Sequence, residues 1–489
     1  MCVLALGAKD YGIYIFINAI VGMLTLLDLG VTMAIVKYLA EYQGQEDSDK
    51  TRRLLYSANS IFLIIGSGGF LLSLLIAGTG HWLFPARIAG FGSYYVTLFL
   101  LAGLTFFVSS VVNLYAIIPD ALQRYDISAK LSVSYLTISA LSNLAVVLLG
   151  FKLTAIFTVQ LTLTILFSVW RYYAAKKIMP DAKYHLSWDQ EAVKNCYRYG
   201  LATVMNSTAS TSLAYLDRLI IPIFVGPTQL TYYSLPGNVA ARIPGVTDNL
   251  SGIIFPVSAN LSGAGDKERI KRFYVRSVRL VFLLAFALSV SVILLAKEIL
   301  RNWLSADFAE KSSEILIILT LTSFVIALLS PITSFFFGLG KIKFSSILSI
   351  SMAILNAIAL FVLLPRWGIL GAAWAYLLSV LPIFYMIYFI ENKYLHLTHR
   401  LKYHATQIIK ALAVTVIFYP LIRLFIAPLI TNLGLLILLG PTSVVIFFVL
   451  YWLFGFFEPE DRHDLNRFVQ LMISRLLGIF RPHKRTMAQ

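Results

Sequence analysis

Apolar residues fill most of the chain in long runs, and these runs recur from one end of the sequence to the other. A helix needs about 20 consecutive apolar residues to cross the hydrocarbon core of a bilayer. Short polar stretches separate the runs and mark the connections between helices. The pattern predicts thirteen membrane-spanning helices, at residues 11–36, 54–80, 93–118, 128–150, 153–174, 197–224, 229–257, 276–298, 312–339, 343–365, 369–391, 403–427 and 431–456.

The composition supports this prediction and excludes the soluble classes of protein. Hydrophobic residues make up 58% of the 489 positions, charged residues make up 13%, and the mean hydropathy is +0.79. Soluble domains are about half apolar and about a quarter charged. The net charge of +16 does not indicate nucleic-acid binding, because basic residues of membrane proteins gather in cytoplasmic loops beside anionic lipid. The sequence therefore predicts an all-α polytopic membrane protein that binds no nucleic acid.

Cysteine and histidine usage predicts neither a disulfide framework nor a metal site. The two cysteines, Cys2 and Cys196, lie far apart in the sequence. His396 and His399 have the i, i+3 spacing that can hold a metal ion. We favour an interfacial loop beside a membrane helix at this place, and we predict no metal and no bound cofactor. The first residues lack the basic segment and the cleavage site of a signal peptide.

The basic residues predict the orientation of the chain, because cytoplasmic loops of membrane proteins are rich in Lys and Arg. One side of the predicted topology collects 29 of the 40 basic residues, and the other side collects 8. The basic side includes the segments 171–198 and 267–279 and the C-terminal tail. We expect this side to face the cytoplasm, with the C-terminus inside.

An internal repeat relates the two halves of the chain. Three pairs of stretches align, the first two with a shift of 219 residues and the third with a shift of 217: 6–14 with 225–233, 37–53 with 256–272, and 122–134 with 339–351. The first pair matches Gly7 with Gly226 and Tyr14 with Tyr233. A repeat of six spans gives two lobes of the same orientation, related by an axis along the membrane normal.

The repeat also predicts the domain organisation. In the second copy a helix at 197–224 precedes the matched glycine, whereas only a few residues precede Gly7 in the first copy. The expected architecture is two six-helix lobes plus two C-terminal helices, with the opening helix of the first lobe lacking. The predicted units are an N-terminal lobe at 1–174, a cytoplasmic linker at 175–196, a C-terminal lobe at 197–392, two additional transmembrane helices at 393–457 and an amphipathic basic tail at 458–489.

The opening segment, "LGAKDYGIYIFINAIVGMLTLLDLGVTMAIVKYLAEY", resembles the start of the bacterial polysaccharide flippases. These proteins export lipid-linked repeat units of O-antigen, capsule or exopolysaccharide, and they belong to the multidrug/oligosaccharidyl-lipid/polysaccharide exporter superfamily. The resemblance rests on the leucine-glycine and tyrosine-glycine pairs, on "LLDLG" and on "KYLAEY". The stretch "LDRLIIPIFVG" is similar to the start of the family's second lobe. In the family the opening helix lines the central cavity, so its expected absence here is a departure.

The resemblance implies a transporter of undecaprenyl pyrophosphate joined to a short glycan, and a pyrophosphate calls for cations shielded from lipid. Arginine suits this role, because its planar fork binds phosphate oxygens in pairs. Arg218 and Arg242 lie within predicted spans that should face the cavity between the lobes. We predict that they bind the pyrophosphate. The alternatives are that a nearby acid, Asp217 or Asp248, holds each arginine in place, or that the side chains reach the membrane surface.

Three acids in or near the spans, Asp28, Asp217 and Asp248, are candidates for ion coupling. A carboxylate facing a dry cavity can take up and release a proton near neutral pH. One of them could therefore couple flipping to a proton gradient, and a sodium site is an open alternative. Charge pairing or helix packing is the other interpretation, which we favour for Asp28.

Other functions are less well supported by the sequence. A multidrug exporter of the same superfamily would prefer acidic cavity groups for cationic drugs, and a peptidoglycan-precursor flippase is a further alternative. A membrane enzyme would need a sizeable outer loop with catalytic groups, and the longest one, near 296–312, has no recognisable constellation. We therefore expect a transporter and no enzyme. Its expected partners are the lipid-linked oligosaccharide, membrane lipids and polysaccharide polymerase or assembly proteins.

Overall fold

A computed structural model of the protein describes residues 2–83, 93–263, 267–338, 343–396 and 400–463. Every regular element in these ranges is helical. The first half holds α1 (Cys2–Leu24), α2 (Val31–Gly44), α3 (Ser48–Leu83), α4 (Ser93–Val111), α5 (Asn113–Ala121), α6 (Tyr125–Leu148) and α7 (Leu153–Ile178). The second half holds α8 (Gln190–Val225), α9 (Pro227–Ala240), α10 (Arg242–Gly263), α11 (Lys267–Leu294), α12 (Ala296–Trp303), α13 (Ala306–Gly338), α14 (Lys343–Ser379), α15 (Pro382–Phe389), α16 (Arg400–Leu421) and α17 (Leu433–Leu453). Most of the predicted amphipathic tail, residues 464–489, lies outside the described ranges.

Eleven helical segments in the described ranges are long and apolar enough to cross a membrane, which confirms an all-α multi-pass membrane protein. One of them, Phe344–Lys393, has 50 residues. A straight helix of this length would measure about 75 Å, more than twice a hydrocarbon core of about 30 Å. The chain breaks inside it at Gly368, where φ is 58° and ψ is −142°. The two predicted spans 343–365 and 369–391 lie on either side of this break.

Two predicted spans differ from the structure. The first was expected at 11–36, but the apolar helical segment runs from Val3 to Asp28. It ends there because Leu29 and Gly30 both have positive φ, 44° and 74°, which no continuous helix allows. The expected span 229–257 is not among the eleven segments, and α9 and α10 occupy its place. These two helices carry several polar side chains, which lower their hydropathy.

The predicted repeat is visible in the backbone at its first matched position. Gly7 interrupts α1 with φ 81° and ψ 160°, and Gly226 separates α8 from α9 with φ 93° and ψ 161°. These angles are open to glycine and strongly disfavoured for other residues. Both copies therefore turn in the same way at the same place, and Cys2–Leu6 of the first copy stand where α8 ends in the second.

The lobes meet through a pair of reciprocal contacts between α1 and α9, the equivalent helices of the repeat. The Thr231 hydroxyl donates to the Ala8 carbonyl at 2.6 Å. In the reverse direction, a Cβ added at Gly12 would collide with the Pro227 carbonyl. A shift of 219 residues converts one contact into the other, since it takes Ala8 to Pro227 and Gly12 to Thr231. This self-complementary contact is what a two-fold axis between the lobes produces.

Buried apolar residues join the two lobes at one end of the molecule. A single cluster contains Ile13 and Ile17 from α1, Leu98 from α4, Leu230 from α9 and Leu316 from α13. The reciprocal contacts lie within the same region. The lobes are therefore packed together at this end, which is the end opposite the basic loops.

At the basic end the two lobes have separate cores. The first-lobe core includes Leu39, Leu54 and Ile118, together with Cys196 from the start of α8. The second-lobe core is built around Tyr274 and includes residues from α10, α11, α13, α14 and α15. A further cluster packs α16 and α17 against α11. The structure is thus closed at the end opposite the basic loops, and the lobes diverge toward the basic end.

Candidate functional site

A cavity of about 620 Å³ lies between the first lobe and α8, on the side where the lobes diverge. Its walls come from α1, α2, α3, α4, α5, α7 and α8. Eight of the lining side chains are neutral and polar: Asn18, Thr25, Thr32, Ser109, Ser110, Asn113, Thr208 and Thr211. Asp28 and Arg171 are the charged residues among those that line it. Hydroxyl and amide groups in this number can exchange hydrogen bonds with a ligand rich in hydroxyl groups.

Asp28 reaches the cavity at the break between α1 and α2. Its carboxylate accepts hydrogen bonds from the Thr32 backbone N–H at 3.2 Å and from the Thr32 hydroxyl at 3.0 Å. The side-chain amide of Asn113 adds a hydrogen bond by donating to the same Thr32 hydroxyl at 3.1 Å. The carboxylate therefore satisfies an otherwise free N–H of the first turn of α2, as a capping residue does. This geometry agrees with the structural interpretation that the sequence favoured for Asp28.

The turn at Asp28 is held close to α8. A Cβ added at Gly200 would collide with the carbonyl oxygen of Leu29 and the backbone of Gly30. Only a glycine permits α8 to approach the turn so closely. Further along, a Cβ at Gly22 of α1 would collide with the Tyr215 ring. These approaches make α8 the wall of the cavity that faces the first lobe.

Arg171 lines the cavity, although the sequence analysis counted it among the loop residues of the basic side. It lies on α7, and its guanidinium carbon is 5.8 Å from the centre of the Tyr135 ring. A cation over an aromatic face is held in place without losing its charge. Arg171 has no ion-pair partner among the residues that the structure describes, so its charge is open to a ligand.

Arg218 lies on the face of α8 that looks toward the first lobe. Val204, Thr208 and Thr211 line the cavity, Tyr215 contacts α1, and Arg218 continues the series at i, i+4, i+7, i+11 and i+14. At 100° per residue these five positions project within about 40° of one direction. The Arg218 guanidinium donates to the Asn238 side chain of α9 at 3.4 Å.

Arg242 lies at the start of α10 on an exposed polar stripe. Asn238, Arg242, Gly245, Val246 and Asn249 follow at helical spacing and are exposed or half-exposed. The opposite side of α10 is buried against its neighbours. Within a membrane-protein bundle, an arginine and amide groups are far more stable in contact with water than in contact with lipid. Asn238, the hydrogen-bond partner of Arg218, thus lies on the same exposed stripe as Arg242.

Asp217 points away from that stripe, into the second lobe. It is 5% exposed, and one carboxylate oxygen accepts a hydrogen bond from the Tyr233 hydroxyl at 2.5 Å. The side chains of Asn356 and Tyr376 lie beside it. The second carboxylate oxygen and both polar atoms of Asn356 are buried and have no short hydrogen bond in the described part of the chain, so the interaction between the Asp217 carboxylate and the Asn356 side chain is a longer one. Asp217 and Arg218 diverge because successive helical residues point 100° apart.

The alternative that a nearby acid holds each arginine stays a prediction, and the hydrogen bonds seen here join these residues to other partners. Arg218 bonds to Asn238, and no ion pair joins it to Asp217 within the described residues. Asp248 instead accepts a hydrogen bond from the Ser330 hydroxyl of α13 at 2.5 Å. Asp248 is six residues from Arg242 on the same helix, which turns it to a different side.

Within the described residues, no group of three or more His, Cys, Asp or Glu side chains is placed to hold a metal ion. His399, one member of the candidate pair, lies outside the described ranges. His404 of α16 instead contacts the buried carboxylate of Glu391 at 2.8 Å. This contact holds α16 against the end of the second lobe.

Sequence reasoning missed several polar residues that the structure brings to these sites. Asn113 lies in the apolar stretch "SSVVNLY" and Asn356 in "AILNAIAL". A lone amide inside a membrane span is costly, and this signal was available in the sequence. Arg171 gave no such signal, because it lies next to a basic segment and it reaches the cavity only when α7 packs against α4 and α5.

Comparison with known proteins places the chain in a family. The profile of a family described as "Polysaccharide biosynthesis protein" matches residues 4–313. A Shigella flexneri protein named "Putative O-antigen transporter" is 23% identical over 379 residues, which cover 77% of this chain and 88% of that protein. An uncharacterized membrane protein of Methanocaldococcus jannaschii is 21% identical over 414 residues, covering 79% of each chain.

Solved structures with low sequence identity share the fold. The lipid II flippase MurJ in an inward closed conformation superposes with a TM-score of 0.70 at 15% identity, over 92% of this chain and 95% of that one. An inward-facing multidrug transporter of the MATE family superposes with a TM-score of 0.61 at 14% identity, over 81% and 91% of the two chains. The chain therefore has the fold of these two transporters.

Proposed function

The chain belongs to the polysaccharide biosynthesis protein family, and from that membership we propose that it is a flippase for a lipid-linked oligosaccharide. The proposed substrate is an oligosaccharide repeat unit on undecaprenyl pyrophosphate, carried from the cytoplasmic to the outer leaflet of a bacterial inner membrane. The observation that carries this proposal is the polar cavity of about 620 Å³ between the lobes of a membrane-spanning bundle. A transporter needs no catalytic group, and the proposal includes none.

The cavity chemistry suits the glycan part of this substrate. Its eight neutral polar side chains offer donors and acceptors to sugar hydroxyls. Polar groups at this depth cost free energy unless they have partners, and water or a sugar can supply those partners. The polyprenyl tail can stay in lipid while the glycan occupies the cavity.

The pyrophosphate is proposed to bind the arginines. Arg218 bonds to Asn238, which lies on the same exposed stripe as Arg242, and Arg171 adds a cation inside the cavity itself. None of the three has an ion-pair partner among the described residues, so no acid has to be displaced when an anion binds. Charge-assisted hydrogen bonds from arginine to phosphate are about twice as strong as neutral ones.

The conformation supports loading from the cytoplasmic side. The lobes are joined at the end opposite the basic loops and diverge toward the basic end. If the basic end is cytoplasmic, as the distribution of Lys and Arg predicts, this state receives substrate from the cytoplasmic leaflet. Transport then requires the reciprocal contacts between α1 and α9 to open and the basic end to close.

Ion coupling is proposed to involve Asp217. Its carboxylate is buried, accepts a hydrogen bond from the Tyr233 hydroxyl, and has only a longer interaction with the Asn356 side chain. A proton or a sodium ion would complete these bonds. Asp217→Asn should therefore reach the membrane and bind substrate, yet transport should stop responding to an imposed proton or sodium gradient in vesicles. Unchanged gradient dependence in this variant would exclude Asp217 from coupling.

Complementation of a strain that lacks its own flippase tests the transport proposal. Arg171→Ala, Arg218→Ala and Arg242→Ala should each lower surface glycan by about 10-fold to 100-fold, because one lost bond to a charged group is worth about 1.5–3 kcal/mol. Arg124→Ala is the matched control, since Arg124 forms an exposed pair with Asp126. The measurement is surface glycan, normalised to membrane abundance of each variant. Normal export by all three variants would exclude the anion site.

A multidrug exporter is the second candidate, and the Asp28 carboxylate in the cavity favours it, since cationic drugs bind acids. Drug susceptibility of the same strains distinguishes the two. A flippase should restore surface glycan and leave drug susceptibility unchanged. An exporter should lower drug susceptibility, and the Asp28→Asn variant should lose this effect.

A further inference from the structure

The linker between the lobes is held against the rest of the protein at both ends. Residues 179–189, here called the strap, join the end of α7 to the start of α8, first through a turn at 180–181 and then, from 182 to 189, without helix or turn. At one end Met179 and Ala182 are buried in the first-lobe core. At the other end Asp189 caps α8 by accepting from the Ala192 N–H at 2.8 Å. Both ends of the strap are therefore fixed.

Between its ends the strap is bonded to α3 at every second residue. The Asn59 amide donates to the carbonyls of residues 183 and 185, both at 3.4 Å. The Ser60 hydroxyl donates to the carbonyl of residue 187 at 2.8 Å, and the N–H of Asp189 donates to the Ser57 hydroxyl at 3.0 Å. The period of two is that of an extended chain. Asn59 and Ser57 are buried beneath it.

The alternate residues of the strap are large, apolar or aromatic, and uncovered. Tyr184 is 45% exposed, Leu186 is 46% exposed and Trp188 is 52% exposed. Three such side chains in a row, on a backbone held rigidly from the other side, form a continuous apolar ridge. Water is an unfavourable neighbour for such a ridge, so its environment needs a physical explanation.

The position of the ridge relative to the apolar part of α3 indicates what lies next to the ridge. The strap crosses α3 at residues 56–60, and the apolar run of α3 begins directly afterwards, at Ile61. On the same side of α3, Ile64, Leu71 and Leu75 are more than half exposed. A membrane helix leaves such residues uncovered where it faces lipid. The strap thus lies where the lipid-facing surface of α3 ends.

The end of α7 also carries exposed apolar and aromatic side chains. Leu166, Val169 and Trp170 are exposed, and Tyr173, nearly two turns before the strap begins, is 63% exposed. Trp and Tyr concentrate at the level of the lipid headgroups because their rings are apolar and their N–H or O–H groups are polar. The aromatic residues of α7 and of the strap therefore form one band at the boundary between lipid and water.

We propose that the strap is a membrane-interface anchor, with Tyr184, Leu186 and Trp188 inserted among the lipid headgroups at the basic end. The ligand is the bilayer itself. Because the strap is bonded to α3 and leads into α8, the anchor sets the first lobe and the start of α8 at a fixed depth. This inference needs only that the chain spans a membrane, and it stands independently of the transport proposal.

Spin-label depth measurements in lipid nanodiscs test the anchor. Leu186→Cys carries the label in a Cys2→Ser background, and Cys196 can stay because burial raises the pKa of its thiol to about 12. Lys194→Cys is the matched control. It is an exposed, charged residue in the first turns of α8, directly after the strap.

We expect the label at position 186 to be accessible to dissolved oxygen and shielded from a water-soluble nickel chelate, with the opposite pattern at position 194. Equal exposure of both labels to the chelate would overturn the proposal and would favour a protein partner for the ridge. If the Leu186→Cys variant does not fold, quenching by brominated lipid in the unmodified protein and in Trp188→Phe gives a second measurement. A loss of quenched fluorescence in Trp188→Phe supports insertion, and no difference contradicts it.

Discussion

The two copies of the repeat share a backbone and differ in their chemistry. Gly7 and Gly226 turn in the same way, and each is followed seven residues later by a tyrosine, Tyr14 or Tyr233. In the first lobe the Tyr14 hydroxyl accepts from the neutral amide of Gln160 at 2.9 Å. In the second lobe the Tyr233 hydroxyl donates to the carboxylate of Asp217. The two equivalent tyrosines thus have different partners, a neutral amide in one lobe and an ionisable carboxylate in the other.

This difference teaches where the fold tolerates change. The backbone turn and the seam between α1 and α9 must be kept in both copies, because each copy completes the other across the two-fold axis. The polar group beside the tyrosine lies inside one lobe and affects only that lobe. A duplicated fold can therefore place its ionisable chemistry in one copy without disturbing the symmetry of the seam.

A substitution at the seam between α1 and α9 should have the largest effect on stability and on export. Gly12→Ala places a methyl group against the Pro227 carbonyl, and backbone atoms cannot move aside as a flexible side chain can. We expect a loss of about 3 kcal/mol from the closed seam, the upper part of the range for overpacking, and loss of glycan export. Thermal unfolding in detergent and complementation measure the two effects.

Gly68→Ala is the matched control for the seam, since a Cβ there meets nothing within 4 Å. It should leave export intact and stabilise its helix by up to about 1 kcal/mol. Thr231→Ala, the repeat partner of the Gly12 change, removes one hydrogen bond without a collision and should cost about 1 kcal/mol. If Gly12→Ala behaves like Gly68→Ala, the seam is not closed in the resting protein.

The tyrosines test the chemical difference directly. Tyr233→Phe removes the hydroxyl that donates to the Asp217 carboxylate, so we expect the free energy of unfolding to fall by about 2 kcal/mol. Tyr14→Phe removes a neutral bond to Gln160 and should cost about 1 kcal/mol. Denaturation midpoints of the two variants in the same detergent give the comparison. Equal costs would mean that Asp217 is neutral in the resting state.

Asp28 should give the smallest effect on stability. Asp28→Ala removes the cap of α2 at the Thr32 N–H, a change that costs about 1 kcal/mol in capped helices. Asp28→Asn keeps an acceptor and should cost less. Both variants are measured by thermal unfolding, with export recorded in parallel. Loss of export in Asp28→Asn at unchanged stability would contradict the structural role and give Asp28 a part in transport.

Much of the fold followed from residues that act locally. Runs of about 20 apolar residues predicted membrane-spanning helices, and the matched positions Gly7 and Gly226 predicted a repeat that the backbone angles confirm. The first span was misplaced because hydropathy continues smoothly through "LLDLGVTMAIV", while the break depends on two positive φ angles and on the cap from Asp28. The predicted lack of an opening helix, the roles of the arginines and the amphipathic tail stay predictions.

The sequence by itself determined the membrane class, the repeat and the family, because these depend on periodicity, composition and local motifs. Only the tertiary structure decided which polar side chains meet. Adjacent residues Asp217 and Arg218 diverge by 100° around α8, so one enters the second lobe and the other faces the first. Arg171 reaches the cavity only because α7 packs against α4 and α5, whose residues also line it. Contacts between distant segments depend on how helices pack, and no single segment carries that information.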